Sequence, residues 1–443
     1  MTHVAQKFNL YPDIQFNTCV NKATYDKIKN VWHVYTAAGE CFSAKYLVTA
    51  VGCIASASVP QIDGLNTFDG ICYHTAQWPR EGVDFKGKHV GLVGTGSTGI
   101  QAIPVIAEQA ASSTVFQRTA NFSVPARNAP LSDEFKQYVK ENSGQIRDIM
   151  HSNHNGLPIN RSDRSVFDCT EEERNAIYEE AWNQGGMQFR ATFRDLLSDS
   201  LANATAANFI KSKIKLIVKD SVTADVLSDI DHPFAAKRPP IDTNYFETFN
   251  RENVSIVNLR KTPIENITSK GIQTSDKHFE FDVIVFATGF DAITGPLLKL
   301  NIQGSEGLKL AEVWQDGPRS YLGLQVPGFP NLFTITGPGS PSVLGNVPVA
   351  IEQHVDWITD SIAHLKSINA QLKEPSEEAT SQWHERVQEA ANATLLSQVN
   401  SWYLGANIPG KPRVFMPYAG GFANYRRICA DVANENYKGF VIC

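Results

Sequence analysis

The chain has 443 residues, 42% hydrophobic and 19% charged, with a formal net charge of −6. That length exceeds what one hydrophobic core usually serves, so an ordinary globular protein of two or three packed units is expected. The acidic balance gives no basis for a nucleic-acid partner, and no apolar run approaches the roughly 20 residues that span a bilayer. The opening residues contain no apolar signal core, which predicts a cytoplasmic protein. Seven cysteines, at 19, 41, 53, 72, 169, 429 and 443, form no CxxC pair and have no histidine in zinc-ligand spacing. Reduced thiols and no metal site are expected. Scattered NxS/T triplets carry no weight without a signal peptide.

In chain order, a helix-like start leads to strand patterns at Val31–Ala37 and Lys45–Gly52. The second is a β-rich apolar run ending in glycine, as in a buried strand that meets a ligand at its carboxyl end. A linker punctuated by Pro60, Gly64, Gly70 and Pro79 follows. Lys88–Gly94 then reads as a buried parallel strand, a helix starts near Ser97, and a second strand ends at Arg118. From about Leu131 to Leu227 the composition turns charged and helical. There Thr170 and Glu173 form a capping box. After the break at Arg238–Pro239–Pro240, strands return, including Phe281–Phe290. A helical region is expected over about Val349–Val399, before a Gly-rich terminal segment.

Gly94–Thr95–Gly96–Ser97–Thr98–Gly99 is a G-x-G-x-x-G directly after a strand and opening a helix. The first glycine permits the tight turn and the second lets the backbone approach a pyrophosphate. The third allows close packing of helix on strand, and the helix N-terminus faces the phosphates. The strand–loop–helix–strand context, more than the glycines, makes this a dinucleotide site. The second strand ends in Gln117–Arg118–Thr119, with no acidic residue to accept from a ribose 2′-hydroxyl. Arg118 can pair with a 2′-phosphate instead and Thr119 can donate a hydroxyl, so NADP(H) is favoured over NAD(H). A solvated surface arginine is the plainer alternative.

Phe68–Asp69–Gly70–Ile71–Cys72–Tyr73–His74–Thr75–Ala76–Gln77–Trp78–Pro79 matches FxGxxxHxxxWP, with Phe68, Gly70, His74, Trp78 and Pro79 at the fixed positions. This resembles the fingerprint of Baeyer–Villiger monooxygenases, in particular the cyclohexanone and cyclopentadecanone monooxygenase branch. The resemblance runs on through the glycine loop, Lys237–Arg238–Pro239, Ala287–Thr288–Gly289–Phe290–Asp291 and Ser401–Lys411. It implies that NADPH reduces FAD, and that a C4a-peroxyflavin formed with O₂ attacks a hydrophobic ketone to give an ester or lactone, in the setting of secondary metabolism. It places the active-site arginine at Arg238, whose fixed charge suits a developing oxyanion. Lys237 would hold the NADP phosphate and Trp402 would contact the bound nucleotide. Ala287, Thr288 and Gly289 would border the flavin. His74 is expected to couple domain motion, not to transfer protons, and Asp291 either to orient the linker or flavin side or merely to cap a turn. The substrate is expected near Arg238, the loop Pro341–Leu344 and Trp402.

One departure from the family pattern stands out: its N-terminal FAD-binding βαβ unit, with a second G-x-G-x-x-G, is not found in the 443 residues. The expected fold is therefore α/β, with two doubly wound, Rossmann-like dinucleotide domains, the FAD-type one truncated, and a helical insertion. Residues 1–79 would be a remnant of the FAD-type domain and linker, and 80–128 and 237–285 the two parts of the NADP domain. Residues 129–236 would be the insertion, and 286–443 the C-terminal part of the FAD-type domain. Such a chain would leave a sheet edge uncovered and would call for a missing N-terminal segment or a partner chain. The competing expectation is a shortened, flavin-independent homologue that cyclises or isomerises a hydrophobic substrate, or serves as an NADP-binding partner.

Overall fold

The computed structural model describes residues 1–443. Its first layer is an antiparallel ribbon of β1 (Val20–Asp26), β2 (Val31–Thr36) and β3 (Cys41–Ala44). Alternation along the ribbon turns Ala23, Trp32 and Val34 toward one small core with Phe329 and Leu332. The Trp32 indole donates to Pro330 O at 2.8 Å. The chain then forms β4 (Leu47–Thr49), which runs into Gly52.

The central sheet uses β5 (Ile71–His74), β6 (His89–Val93), β7 (Ser112–Gln117), β8 (Val254–Asn258) and β9 (Val283–Phe286). Its order is β8-β7-β6-β9-β5, and every neighbouring pair is parallel. β9 is buried at all four positions and β6 at four of five, as required of parallel strands covered on both faces. Between β6 and β7 runs α1 (Ser97–Gln109), which seats Ile100, Ile103 and Ile106 against the sheet. A three-stranded antiparallel sheet, residues 264–280, sits between β8 and β9 in sequence.

The charged block is helical: α2 (Glu171–Gln184), α3 (Ser200–Ile217) and α4 (Ser221–Ser228). The capping box closes in full, Thr170 accepting from the Glu173 N–H and Glu173 from the Thr170 N–H. Asp199 and Asp220 cap the next two helices. One cluster of 35 buried residues contains Val90, Val115 and Val285 of the sheet together with Tyr178, Trp182 and Ile210 of these helices. The insertion thus shares a core with the sheet.

Past β9, strand β10 (Leu332–Thr334) pairs in parallel with β4. It is followed by α5 (Val347–Ser367), α6 (Glu377–Asn392) and α7 (Phe422–Asn434). The helical region expected over Val349–Val399 is broken at Lys373–Pro375, which forms a strand against the terminal strand Phe440–Ile442. Its partner lies at the far end of the chain, so no local periodicity announces it. No helix is long and apolar enough to cross a membrane.

Candidate active site

The glycine loop leaves the carboxyl end of β6 at the sheet centre, where β9 ends beside it. Gly94 is left-handed at φ 110°, and a Cβ there would lie 2.5 Å from Ala287 O. A Cβ on Gly99 would lie 2.1 Å from Gly94 O, so this glycine sets the approach of α1 to the strand. At Gly96 a Cβ would meet nothing within 4 Å, which leaves the backbone open toward the N-terminus of α1. Ser97 and Thr98 form the first turn, presenting unpaired N–H groups to an anion. Thr95 fixes the loop by donating to Thr119 O at 2.8 Å.

Two cations gather beside that loop. Arg118 is exposed at the end of β7, and Lys237 is half-buried. Burial is the main force that lowers the Lys237 pKa; Asp231 opposes it, and the charges of Arg118 and Arg260 add to it. Mutually repelling cations of this kind suit an anion, and Arg260 is already engaged by Asp231. Gln117 lies behind them, buried, with its amide donating to Val226 O on α4 at 2.8 Å.

The FxGxxxHxxxWP segment makes a junction. Gly70 has no room for a side chain, since a Cβ would lie 2.4 Å from Asp282 O and 2.5 Å from the Phe68 ring. His74 ends β5 and is buried. Its Nδ1 accepts from the Ala76 N–H at 3.1 Å, which puts the proton of the neutral ring on Nε2. Nε2 lies 3.3 Å from Ser58 O and 3.2 Å from Thr288 Oγ1, and Thr288 also donates to Ser58 O at 2.7 Å. One imidazole thus ties the linker, β5 and the segment after β9. Trp78 packs between Tyr73 and Phe85, with centroids at 5.6 and 6.1 Å, and Pro79 O accepts from Gly82 N.

Arg238 reaches across to the loop after β10, donating from Nη1 to Val343 O at 2.9 Å. Beside it lie Cys53 and Tyr403. Burial raises the Cys53 pKa, against the lowering effects of Arg238 and Ser342. Trp402 is half-buried on the same segment as Tyr403, its ring 4.6 Å from that phenol ring. Asp291 is more than a turn cap: its carboxylate pairs with Lys411 Nζ at 2.6 Å, and its N–H donates to Ser56 O at 2.8 Å.

No family model matches the chain. It is 40% identical over 446 residues to cyclohexanone 1,2-monooxygenase of an Acinetobacter species, across 100% of this chain and 81% of that protein. It is 38% identical to a Baeyer–Villiger monooxygenase of Pseudooceanicola batsensis, again across 100% and 81%. The solved structure of an oxidised steroid monooxygenase bound to NADP superposes with a TM-score of 0.94 at 48% identity, over 100% of this chain and 83% of that one. The chain belongs to the Baeyer–Villiger monooxygenase family.

The residues of this Baeyer–Villiger family member fit both cofactors that the family implies. For the nicotinamide nucleotide, the open Gly96 backbone and the Arg118–Lys237 pair match a pyrophosphate and a 2′-phosphate. For the flavin, Gly52 after β4 and Gly289 after β9 are both left-handed, at φ 75° and 84°, with nothing within 4 Å of a Cβ at either. Backbone that open and free of side chains suits a flat cofactor. Sequence reasoning did not single out Cys53, Tyr403, Arg190 or the Asp291–Lys411 pair as neighbours of Arg238's surroundings. Lone cysteines, tyrosines and arginines carry no local signal; only the fold brings residues 53, 190, 238 and 403 together.

Proposed function

We propose that the protein is an NADPH- and FAD-dependent Baeyer–Villiger monooxygenase that inserts one oxygen atom of O₂ beside a ketone carbonyl, giving an ester or lactone. The observation that carries this reading is the adjacency of three features: the open glycine cradle at Gly96, the neighbouring cations Arg118 and Lys237, and Arg238 next to Lys237. When bound, the flavin, reduced by NADPH, supplies the activated oxygen. The chain's own residues do the rest. Gly94 to Gly99, with the first turn of α1, hold the pyrophosphate, and Arg118 and Lys237 select the 2′-phosphate. Ala287, Thr288 and Gly289 border the flavin, and Trp402 the nucleotide. Arg238, held by Val343 O, keeps a permanent positive charge where negative charge develops on the substrate oxygen. His74 holds the linker through Ser58 O and Thr288.

We further propose domain limits near residues 79, 128, 236 and 285, and a cytoplasmic setting. The test is NADPH oxidation by the FAD-supplemented chain with cyclohexanone and O₂, with ester or lactone detected. Arg238→Ala should lower kcat by about 10²- to 10³-fold while the NADPH Kd changes little. Equal turnover by wild type and variant would remove Arg238 from the chemistry.

A further inference from the structure

Where the helical block meets the C-terminal segment lies a cavity of about 250 Å³, on the scale of a small-molecule site. Apolar side chains dominate part of its wall, among them Leu157, Met187, Phe193, Leu196 and Leu344. Two arginines interrupt that wall, Arg190 and Arg161. Arg190 Nε is buried and has no hydrogen-bond partner. Neither guanidinium has a carboxylate within the 4.0 Å of an ion pair. Asp195 is the acid that favours the Arg161 charge, yet both its oxygens accept from the Val166 N–H, at 3.0 and 3.2 Å. Arg161 itself donates to Arg194 O.

Burial is the main force against the Arg190 charge. The Tyr403 phenol opposes it, and the charges of Arg161 and Arg238 reinforce it. Arg190 is half-buried and Arg161 exposed, so an unpaired charge at Arg190 is kept at a partial desolvation cost, which an arriving anion lowers. The cavity also touches the proposed reaction site. Pro341 and Leu344 line it, and Val343 between them accepts from Arg238.

We infer that this cavity receives the acid end of the substrate, a ketone that carries a carboxylate, with the carboxylate paired to Arg190 and Arg161 and the carbonyl directed toward Arg238. The inference rests on the monooxygenase reading for the word substrate, but the anion site stands on its own geometry. A planar guanidinium suits a carboxylate because two parallel N–H groups match its two oxygens.

The probes are 4-oxocyclohexanecarboxylate and its methyl ester, titrated calorimetrically into the full chain. The acid should bind at least about tenfold more tightly than the ester, as a charge-assisted bidentate pair allows. Arg190→Leu should bring that ratio close to one, and Arg190→Lys should restore part of it. Thermal melting identifies a variant that fails to fold, in which case Arg161→Gln is read instead. Equal binding of acid and ester by wild type, or a preference that survives both Arg190→Leu and Arg161→Gln, overturns the inference. Cyclohexanone turnover separates the two readings. Turnover without acid preference sinks the anion site and leaves the monooxygenase. Arginine-dependent acid binding without NADPH oxidation by any of these ketones sinks the monooxygenase and leaves the anion site.

Discussion

Within the loop from Gly94 to Gly99, three glycines answer to three constraints that substitution can separate. Gly99 is excluded from carrying a Cβ by backbone, 2.1 Å from Gly94 O, whereas Gly96 has open space and an ordinary φ of −82°. Gly99→Ala should therefore destabilise the protein by about 1–3 kcal/mol, as overpacking does, and lower the melting temperature. Gly96→Ala should melt within about 0.5 kcal/mol of wild type yet raise the NADPH Kd tenfold or more, because the methyl stands where a pyrophosphate must approach. Melting curves and an NADPH titration of both variants decide. If Gly96→Ala is the unstable one and still binds NADPH normally, the division of roles is wrong. This loop was legible in the sequence because all its constraints lie within six consecutive residues. Arg190 was not, because its significance comes from Arg161, Arg238 and Tyr403, which only tertiary structure brings near.

Helix α5 shows how an element can hold a loop that the sequence alone leaves undefined. His354 in its second turn is buried at 0% exposure, and its Nδ1 accepts from the Thr336 N–H at 3.0 Å. Its Nε2 therefore carries the proton and donates to Tyr425 Oη at 3.0 Å, while the Tyr425 hydroxyl donates to Leu322 O at 2.6 Å. Thr336 is left-handed at φ 55°, so this chain of bonds fixes a strained turn after β10. Burial lowers the His354 pKa to about 3. Below about pH 6.5 the unfolded chain binds a proton here that the folded one refuses, so stability rises with pH. The contribution is fully present above about 6.5 and is lost as pH falls toward 3. Each such histidine adds a slope of about 1.4 kcal/mol per pH unit in that window. His232, lowered to about 4 mainly by burial and then by Lys237, adds a second. His354→Gln keeps an acceptor and a donor but cannot titrate, so its stability between pH 6 and 4 should fall less steeply by about 1.4 kcal/mol per unit. Chemical denaturation across that range measures it, and an unchanged slope would mean that His354 is protonated in the fold. The apolar face of α5 could be read from periodicity. The bond to Thr336 could not, since nothing in the local sequence links a helical histidine to a residue 18 positions earlier.

At the scale of the molecule, the region around Arg238 is assembled from segments that meet only in the folded chain. Cys53 to Ser58 follow β4, Phe290 to Gly295 follow β9, and Trp402 to Met416 come from near the C-terminus. Ala292, Ile293, Tyr403, Phe415 and Met416 share one buried cluster, with Cys53 packed against it. Asn407 donates to Phe290 O at 2.8 Å, Lys411 donates to Ala292 O at 2.9 Å, and the Ile293 N–H donates to Cys53 O at 2.7 Å. The order of the large elements was readable from strand and glycine signals, because parallel strands and nucleotide loops carry their own patterns. This clamp was not, because neither Asp291 nor Lys411 signals its partner 120 residues away. The pair has side-chain exposures of only 30% and 11%, so removing one charge strands the other. Lys411→Met should cost about 1–3 kcal/mol, less than a fully buried pair because Asp291 keeps some water. Adding Asp291→Asn should recover much of that loss, since a neutral amide then replaces the carboxylate left without a partner. The double variant should thus melt above the Lys411→Met single variant. If the two substitutions instead add, each lowering the melting point independently, then Asp291 and Lys411 are not a coupled pair, and the clamp is held by its apolar cluster and backbone bonds alone.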